Sequence, residues 1–397
     1  VFDPAGARPL DNVLVYVPGD PSDPGLQPFP PGIACGYTAA GSPLVSTTTA
    51  PDGTFTLTGV PVGGAIPIVI QLGRWRRQFT VPVTTACGPN SVPASTTLSM
   101  PQNHSQGDMP RIAIVTGALD PVECALLDFG IEQGEFTDPG KGGYINFFTA
   151  NDPTNPQPGE GGPGATLSSE TPGQDALFAQ TGGGADGTAP LIDDYDIVIL
   201  ECEGYQEVET AAQQADLAAY LAAGGQVYGS DYIYDWFYEN PALEAAANWT
   251  GDHSGNGYAV TSIIDQAPES PSGADLQQWL ETVGVSTAGS GTVSMVPAFP
   301  NVLAVNSPGV EWLFTDTPEG TTGGAIPVHF TFNTPVGASP ASQCGQVSFA
   351  DWHVFSDVVS YGTTFPAACS PTTTGLSPQV LVLEYLLFDL HGAVSLP

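Results

Sequence analysis

Two stretches, Asp194-Tyr-Asp-Ile-Val-Ile-Leu-Glu-Cys-Glu-Gly204 and Gly224-Gly-Gln-Val-Tyr-Gly-Ser-Asp-Tyr232, flank a segment rich in Ala and Leu. Together the three read as strand, helix and strand. Ile197–Leu200 is wholly apolar, the pattern of a strand buried on both faces. Glu209–Ala223 favours helix. Gly224-Gly225 ends that helix and Val227 begins the next strand. In an open parallel sheet, ligands bind beyond the carboxyl ends of the strands. Two such ends carry Glu201-Cys202-Glu203 and Gly229-Ser230-Asp231, so a functional site is expected there.

The same alternation extends in both directions. Arg111–Val115 reads as a buried strand, followed by Thr116-Gly117 and a helix from about Pro121, with Asp120 as its N-cap. Residues 137–190 form a long loop rich in Gly, Pro, Asn and Thr, with Tyr144–Thr149 as its one strand. Towards the C-terminus, Asp275–Val283 reads as a helix, and Gln346–Ala350 as a strand that runs into Asp351-Trp352-His353. Pro378–Leu390 is apolar nearly all round and is expected as a buried helix. Strands alternating with helices from residue 111 onward predict a parallel α/β sheet. Residues 1–99 differ. Val13–Val17, Thr54–Leu57, Ile66–Gln71 and Gln78–Val83 read as strands, and Ala50-Pro51-Asp52-Gly53 as a turn. Residues 100–110 read as a linker. The expected organisation is multidomain, an all-β module followed by an α/β domain over 111–397.

Composition restricts the partners. Asp and Glu number 41 against 6 Lys and Arg, for a formal net charge of −35. The basic residues are Arg8, Arg74, Arg76, Arg77, Arg111 and Lys141, so nothing after Lys141 can form a Lys or Arg ion pair within its own segment. Such a chain repels nucleic acid and anionic membranes, and favours cations or basic protein surfaces. The most apolar run, near Val380–Leu390, is interrupted by Glu384 and Asp389 and is too short for a membrane span. The six cysteines, Cys35, Cys87, Cys124, Cys202, Cys344 and Cys369, lack CxxC spacing. An even count in an acidic chain rich in Gly, Pro and Thr predicts disulfides and a secreted or extracellular-surface location. Their connectivity is not set by spacing. The chain opens inside a strand-like segment, so an upstream piece is expected.

Two resemblances rest on particular residues. Asp3-Pro-Ala-Gly-Ala-Arg-Pro-Leu-Asp-Asn-Val-Leu-Val15, with Asp52-Gly-Thr-Phe-Thr-Leu-Thr-Gly-Val-Pro-Val-Gly63, resembles the carboxypeptidase regulatory-like domain, which implies a small transthyretin-like β-sandwich. A Cys35–Cys87 bridge would then pin the Pro/Gly-rich insertion at 18–50 to the sandwich. Arg111-Ile-Ala-Ile-Val-Thr-Gly117, Tyr195-Asp-Ile-Val-Ile-Leu200, Tyr220-Leu-Ala-Ala-Gly-Gly-Gln-Val-Tyr-Gly-Ser230 and Gly345-Gln-Val-Ser-Phe-Ala-Asp-Trp-His353 are similar to the class I glutamine amidotransferase-like superfamily, which implies a flavodoxin-like fold. The pairing of these two modules resembles exported proteins of myxobacterial type.

Active members of that superfamily place a nucleophile on a tight elbow after a strand and a histidine at a later strand end. Ser230 matches the elbow and His353 the histidine, with Glu201, Glu203 or Asp357 as the acid. Tyr232 is bulky where active relatives are small, and Val354-Phe355 replaces the Pro-Glu of amidotransferases, so glutaminase activity is not expected. Glu201 and Glu203 would raise the pKa of the Cys202 thiol, and the family fold brings Cys202 near Cys124, which suggests a bridge between them. Asp231, Asp235, Glu203 and Asp351, with Glu201 and His353 at the same edge, form an oxygen-rich set suited to Ca²⁺. Arg74-Trp75-Arg76-Arg77 is the one basic cluster. It reads either as a charged edge strand or as a patch that docks on the acidic domain of the same chain or of the next. The aromatic run Tyr232–Tyr238 reads as core packing ahead of sugar stacking.

These features predict a non-catalytic secreted or cell-surface structural and binding protein, able to self-assemble through the basic patch and the acidic domain. The alternatives are a serine hydrolase using Ser230 and His353, and a Ca²⁺-stabilised carbohydrate binder.

Overall fold

In a computed structural model of the chain, Ile197–Leu200 and Gln226–Ser230 are adjacent parallel strands joined by the helix Ala211–Ala222. That helix opens with a capping box. The Thr210 hydroxyl accepts from the Gln213 amide at 3.2 Å, and the Gln213 side chain accepts from the Thr210 amide at 2.9 Å. It stops before Gly224, whose φ of +115° and close approach to the Ala34 carbonyl leave no room for a Cβ. The structure describes all residues except 20–25, 31, 41, 151–161, 180–188, 207–208, 251–256, 268–271, 317–324, 356–359, 361, 370–375 and 390–397.

In chain order, the first strands are β1 (Leu14–Val17), β2 (Val45–Thr48), β3 (Gly63–Leu72) and β4 (Trp75–Val83). Then come β5 (Ile112–Thr116), α1 (Val122–Asp128), β6 (Phe136–Thr137), β7 (Ile145–Thr149), α2 (Asp175–Phe178), β8 (Ile197–Leu200), α3 (Ala211–Ala222), β9 (Gln226–Ser230) and α4 (Tyr234–Tyr238). The last group is β10 (Ala247–Trp249), β11 (Tyr258–Ile264), α5 (Gly273–Thr282), β12 (Thr292–Ala298), β13 (Val302–Val305), β14 (Val310–Thr315), β15 (Ile326–Thr334), β16 (Gly345–Ala350) and α6 (Pro378–Asp389).

One large sheet runs β12-β11-β14-β15-β16-β9-β8-β5-β7-β6. From β16 to β6 every pairing is parallel. Counting β5, β7, β8, β9 and β16 as strands one to five, their spatial order is 2-1-3-4-5, that of a doubly wound flavodoxin-type sheet. The rest, β15 to β12, is an antiparallel extension. The parallel sheet predicted from residue 111 onward is therefore the six-stranded part of a ten-stranded mixed sheet. Alternate residues of β5 and β8 serve opposite cores, as in a strand buried on both faces. Ile112, Ile114, Ile197 and Ile199 pack with α1 and α6, whereas Ala113, Val115, Val198 and Leu200 pack with α2, α3 and α4.

The N-terminal residues form one four-stranded antiparallel sheet of order β2-β1-β3-β4. Its partner sheet in a sandwich is not among the described elements. Thr54–Leu57 makes no strand, because the chain leaves the Asp52-Gly53 turn without a ladder partner, and β2 takes that role. One face of this sheet (Val15, Val17, Ile68, Ile70) joins the same core as α1, α5 and α6. The other (Leu14, Tyr16, Val69) is covered by Leu26 and Ala39.

Ion pairs and a covalent bond cross between the two sheets. Arg8 pairs with Asp3 at 2.6 Å and with Glu384 on α6. Arg74 Nε lies 2.6 Å from Asp196, just before β8. Arg76 is 1% exposed, pairs with Asp108 at 2.7 Å and lies 4.0 Å over the Phe29 ring. Trp75 packs on Phe388, and the Trp279 indole donates to the Pro9 carbonyl at 2.7 Å. Arg74, Trp75 and Arg76 are buried in this chain and are not an open patch for another copy. Arg77 is partly exposed and donates to Ser99. The run does begin β4, an edge strand.

The disulfides are Cys35–Cys344 and Cys124–Cys369, with Cα–Cα distances of 4.8 and 5.2 Å. This corrects the pairings Cys35–Cys87 and Cys124–Cys202. Cys35 lies in a loop packed on the end of α3, which brings it to the start of β16. Cys87 is exposed and free, and the Cys202 thiol is buried on Asp231. Non-reducing peptide mapping should recover these two bridges. Thiol titration should find one reactive cysteine in the native protein and two after unfolding without reductant. Removing either bridge should cost about 2–5 kcal/mol in urea unfolding.

Arg74→Ala strands the buried Asp196 carboxylate and should cost roughly 3 kcal/mol at pH 8. Burial, outweighing Arg74, already raises the Asp196 pKa to about 6. Its protonated form needs no cation, so the loss measured by the same unfolding at pH 5 should be smaller.

Candidate functional site

Three neighbouring strand ends converge at the carboxyl edge. β8 ends at Leu200 and is followed by Glu201-Cys202, β9 ends at Ser230, and β16 ends at Ala350. Ser230 is the last residue in ladder register, opposite Ala350. The chain then turns at Asp231, with φ of +47°, into a short 3₁₀ turn and α4. Asp is one of the few side chains that tolerates this left-handed backbone. Gly229 makes the turn possible, since a Cβ there would meet Ile233 at 2.6 Å. The residue projected at the elbow is therefore Asp231, one place beyond the expected Ser230.

Asp231 is the hub of the site. Its Oδ2 accepts from the Cys202 thiol at 3.3 Å and lies 3.1 Å from His353 Nε2. Its Oδ1 accepts from the Asn301 amide at 2.9 Å. Asn301 also bridges Asp351, donating from its side chain and its backbone at 2.8 Å each. Cys202, Asp231 and His353 are 0%, 3% and 6% exposed. The His353 pKa is raised. Burial works against the imidazolium, but the hydrogen bond that it donates to Asp231 and the charges of Asp120 and Asp231 outweigh it. The Cys202 thiol is pushed well up by burial and by Asp231. Both effects favour the protonated thiol over the thiolate.

A second group of acids lies under the first. Asp120 caps no helix. Its Oδ1 accepts from the Val354 amide at 2.7 Å, and its pKa is raised by burial. Glu201 accepts from the amides of Gly117 at 3.0 Å and Glu123 at 3.2 Å. Burial and the facing Glu123 carboxyl raise Glu201 well above the carboxylate range, and burial raises Glu123 to about 7.

The expected residues are thus distributed as follows. His353 bonds Asp231, Ser230 is fully buried at the ladder end beside Asp120, and Glu201 serves the β5–α1 loop. A Ser230–His353–Glu201 relay is not assembled. Among the described residues, Asp231 alone of the oxygen set Asp231, Asp235, Glu203 and Asp351 joins a ligand-like cluster, and its companions are Cys202 and His353. Asp351 is tied to Asn301, and Asp235 to Gln206 at 2.9 Å. A thiol and an imidazole suit a softer ion than Ca²⁺. Asp357 lies outside the described residues. In the aromatic run, Tyr234, Trp236 and Phe237 are core residues, and Trp236 stacks on Phe178. Asn301 and Asp120 carry no sequence signal for their roles. The signal for Asp231 was its residue type, directly after Gly-Ser at a strand end.

No family model and no curated protein matches the chain. Among solved structures it is similar to a ThuA-like protein from Bacteroides uniformis, at 10% identity over 70% of this chain and 90% of that one, with a TM-score of 0.34. It is likewise similar to a ThuA-like protein from Parabacteroides merdae, at 10% identity over 72% and 91%, with a TM-score of 0.36. ThuA-like proteins have the class I glutamine amidotransferase-like fold. At these scores no residue role passes from them to this chain.

The buried acids set a pH dependence. Glu123 and Asp235 are both raised to about 7, chiefly by burial. A raised carboxyl contributes stability that is complete below its unfolded pKa and is lost as pH rises through its folded pKa. A tenfold change in proton affinity is worth about 1.4 kcal/mol. The thermal midpoint should therefore fall by several degrees between pH 5 and pH 8, as calorimetry would record. A midpoint that rises over that range contradicts the assignment.

Proposed function

We propose that the protein is a non-catalytic, exported structural or binding protein, whose strand-end constellation serves the fold and does not turn over substrate. The observation that carries this reading is the position of Asp231. A carboxylate occupies the elbow, is committed on both oxygens to Cys202, His353 and Asn301, and is almost wholly buried. A nucleophile needs a base in reach and access for a substrate. Here the imidazole is bonded to an acid, and the adjacent serine is fully buried. Two disulfides between distant segments support an extracellular or periplasmic setting. The formal charge of −35 favours partners that are cationic.

The test is a panel of chromogenic ester and peptide substrates, run with a serine-reactive fluorophosphonate on the folded full chain. We expect no labelling, and no turnover above that of Ser230→Ala. Turnover in the parent that disappears in both Ser230→Ala and His353→Ala overturns the proposal in favour of a hydrolase.

A further inference from the structure

We propose that Cys202, Asp231 and His353 form a binding site for one divalent cation of the zinc type. The donor atoms are Cys202 Sγ, Asp231 Oδ2 and His353 Nε2, all within 4.8 Å of one another. The carboxylate oxygen lies 3.3 Å from the sulfur and 3.1 Å from the nitrogen. Ligands placed tetrahedrally at usual zinc bond lengths are spaced about 3.3–3.5 Å apart. Two of the three spacings are thus already close to that value, and the sulfur–nitrogen spacing, within 4.8 Å, shortens toward it as the set closes on an ion.

Three further observations favour a built site over a chance cluster. The ligands come from the ends of the adjacent strands β8, β9 and β16, whose relative positions the parallel ladders fix. Asp231 is held in a left-handed conformation, and its second oxygen is anchored by Asn301, which is itself anchored by Asp351. Outer-shell bonds of this kind orient a metal-binding carboxylate. All three ligands are more than nine-tenths buried, in a part of the chain that has no Lys or Arg of its own. A cation would supply positive charge where this segment has no Lys or Arg.

The donor chemistry selects the ion. Sulfur, nitrogen and oxygen together suit Zn²⁺ or Co²⁺, whereas Ca²⁺ and Mg²⁺ require oxygen ligands. On binding, the Cys202 thiol proton leaves to solvent and a metal–sulfur bond forms. His353 likewise gives up to solvent the Nε2 proton that it shares with Asp231, and coordinates through Nε2 as a neutral imidazole with its remaining proton on Nδ1. Three protein donors leave one position for water. The inference uses the same constellation as the proposed function but is independent of turnover. Metal binding without hydrolysis supports both proposals, and absence of metal binding removes this one alone.

The test uses the full chain carrying Cys87→Ser, so that Cys202 is the one free thiol. After chelator treatment without reductant, Co²⁺ is titrated in. We expect one equivalent to bind, with a thiolate-to-cobalt charge-transfer band that Zn²⁺ displaces and excess Ca²⁺ does not. Cys202→Ser should lose the band entirely, and His353→Ala should weaken Co²⁺ binding at least tenfold. Near-ultraviolet circular dichroism checks that the variants fold. If either does not, the Cys87→Ser parent decides by itself. No charge-transfer band in that parent overturns the proposal, as does a band that survives in folded Cys202→Ser.

Discussion

Forty-one acidic residues share six basic ones, and this shortage of positive charge shapes the molecule. A buried carboxylate must be paired, hydrogen-bonded or protonated. The few arginines are used where segments distant in sequence meet. Arg8 reaches α6, Arg74 reaches Asp196 before β8, and Arg76 holds Asp108 in the connecting segment. Several other buried acids take neutral donors. Glu201 and Asp120 accept backbone amides, Asp351 and Asp231 share one asparagine, and Asp235 takes Gln206. Burial then raises several of these groups toward neutral pH, so the folded state holds protons that the unfolded chain would release.

The carboxyl edge of the sheet is where this constraint meets the fold. A doubly wound sheet presents its strand ends on one side, and its elbow after β9 requires a left-handed residue. In this chain that residue is an aspartate, drawn between a thiol and an imidazole. At this turn the projecting side chain is an acid held by a thiol, an imidazole and an amide. What remains is a compact set of sulfur, oxygen and nitrogen donors, braced from behind and closed to solvent.

Much of this was legible along the chain. The apolar Ile197–Leu200 and the Gly-terminated helix before Val227 were sufficient to read the parallel sheet, because strands buried on both faces and helices closed by glycine are local patterns. Val13–Val17, Ile66–Gln71 and Gln78–Val83 were readable for the same reason. Thr54–Leu57 was not, because alternation alone does not supply a ladder partner. The antiparallel part of the large sheet is not set by local patterns, since its pairings depend on contacts distant in sequence. The cysteine pairings misled most. Cys35 and Cys87 lie in one module and look like natural partners, yet the packing of the N-terminal sheet on the α/β core carries Cys35 to Cys344.

Sequence by itself determined the element types, the charge imbalance and the strand ends at which polar groups gather, because each depends on local periodicity or on composition. Tertiary structure decided which of those groups meet. Asp231 rather than Ser230 occupies the elbow because a backbone angle of +47° falls one residue beyond the ladder. Cys202 is a free thiol beside His353 rather than a staple, because β8, β9 and β16 are neighbours only in the folded sheet. Arg74 and Arg76 turned inward for the same kind of reason. The acidic surface such a run would seek, Asp196 and Asp108, lies within this chain once the two sheets have packed.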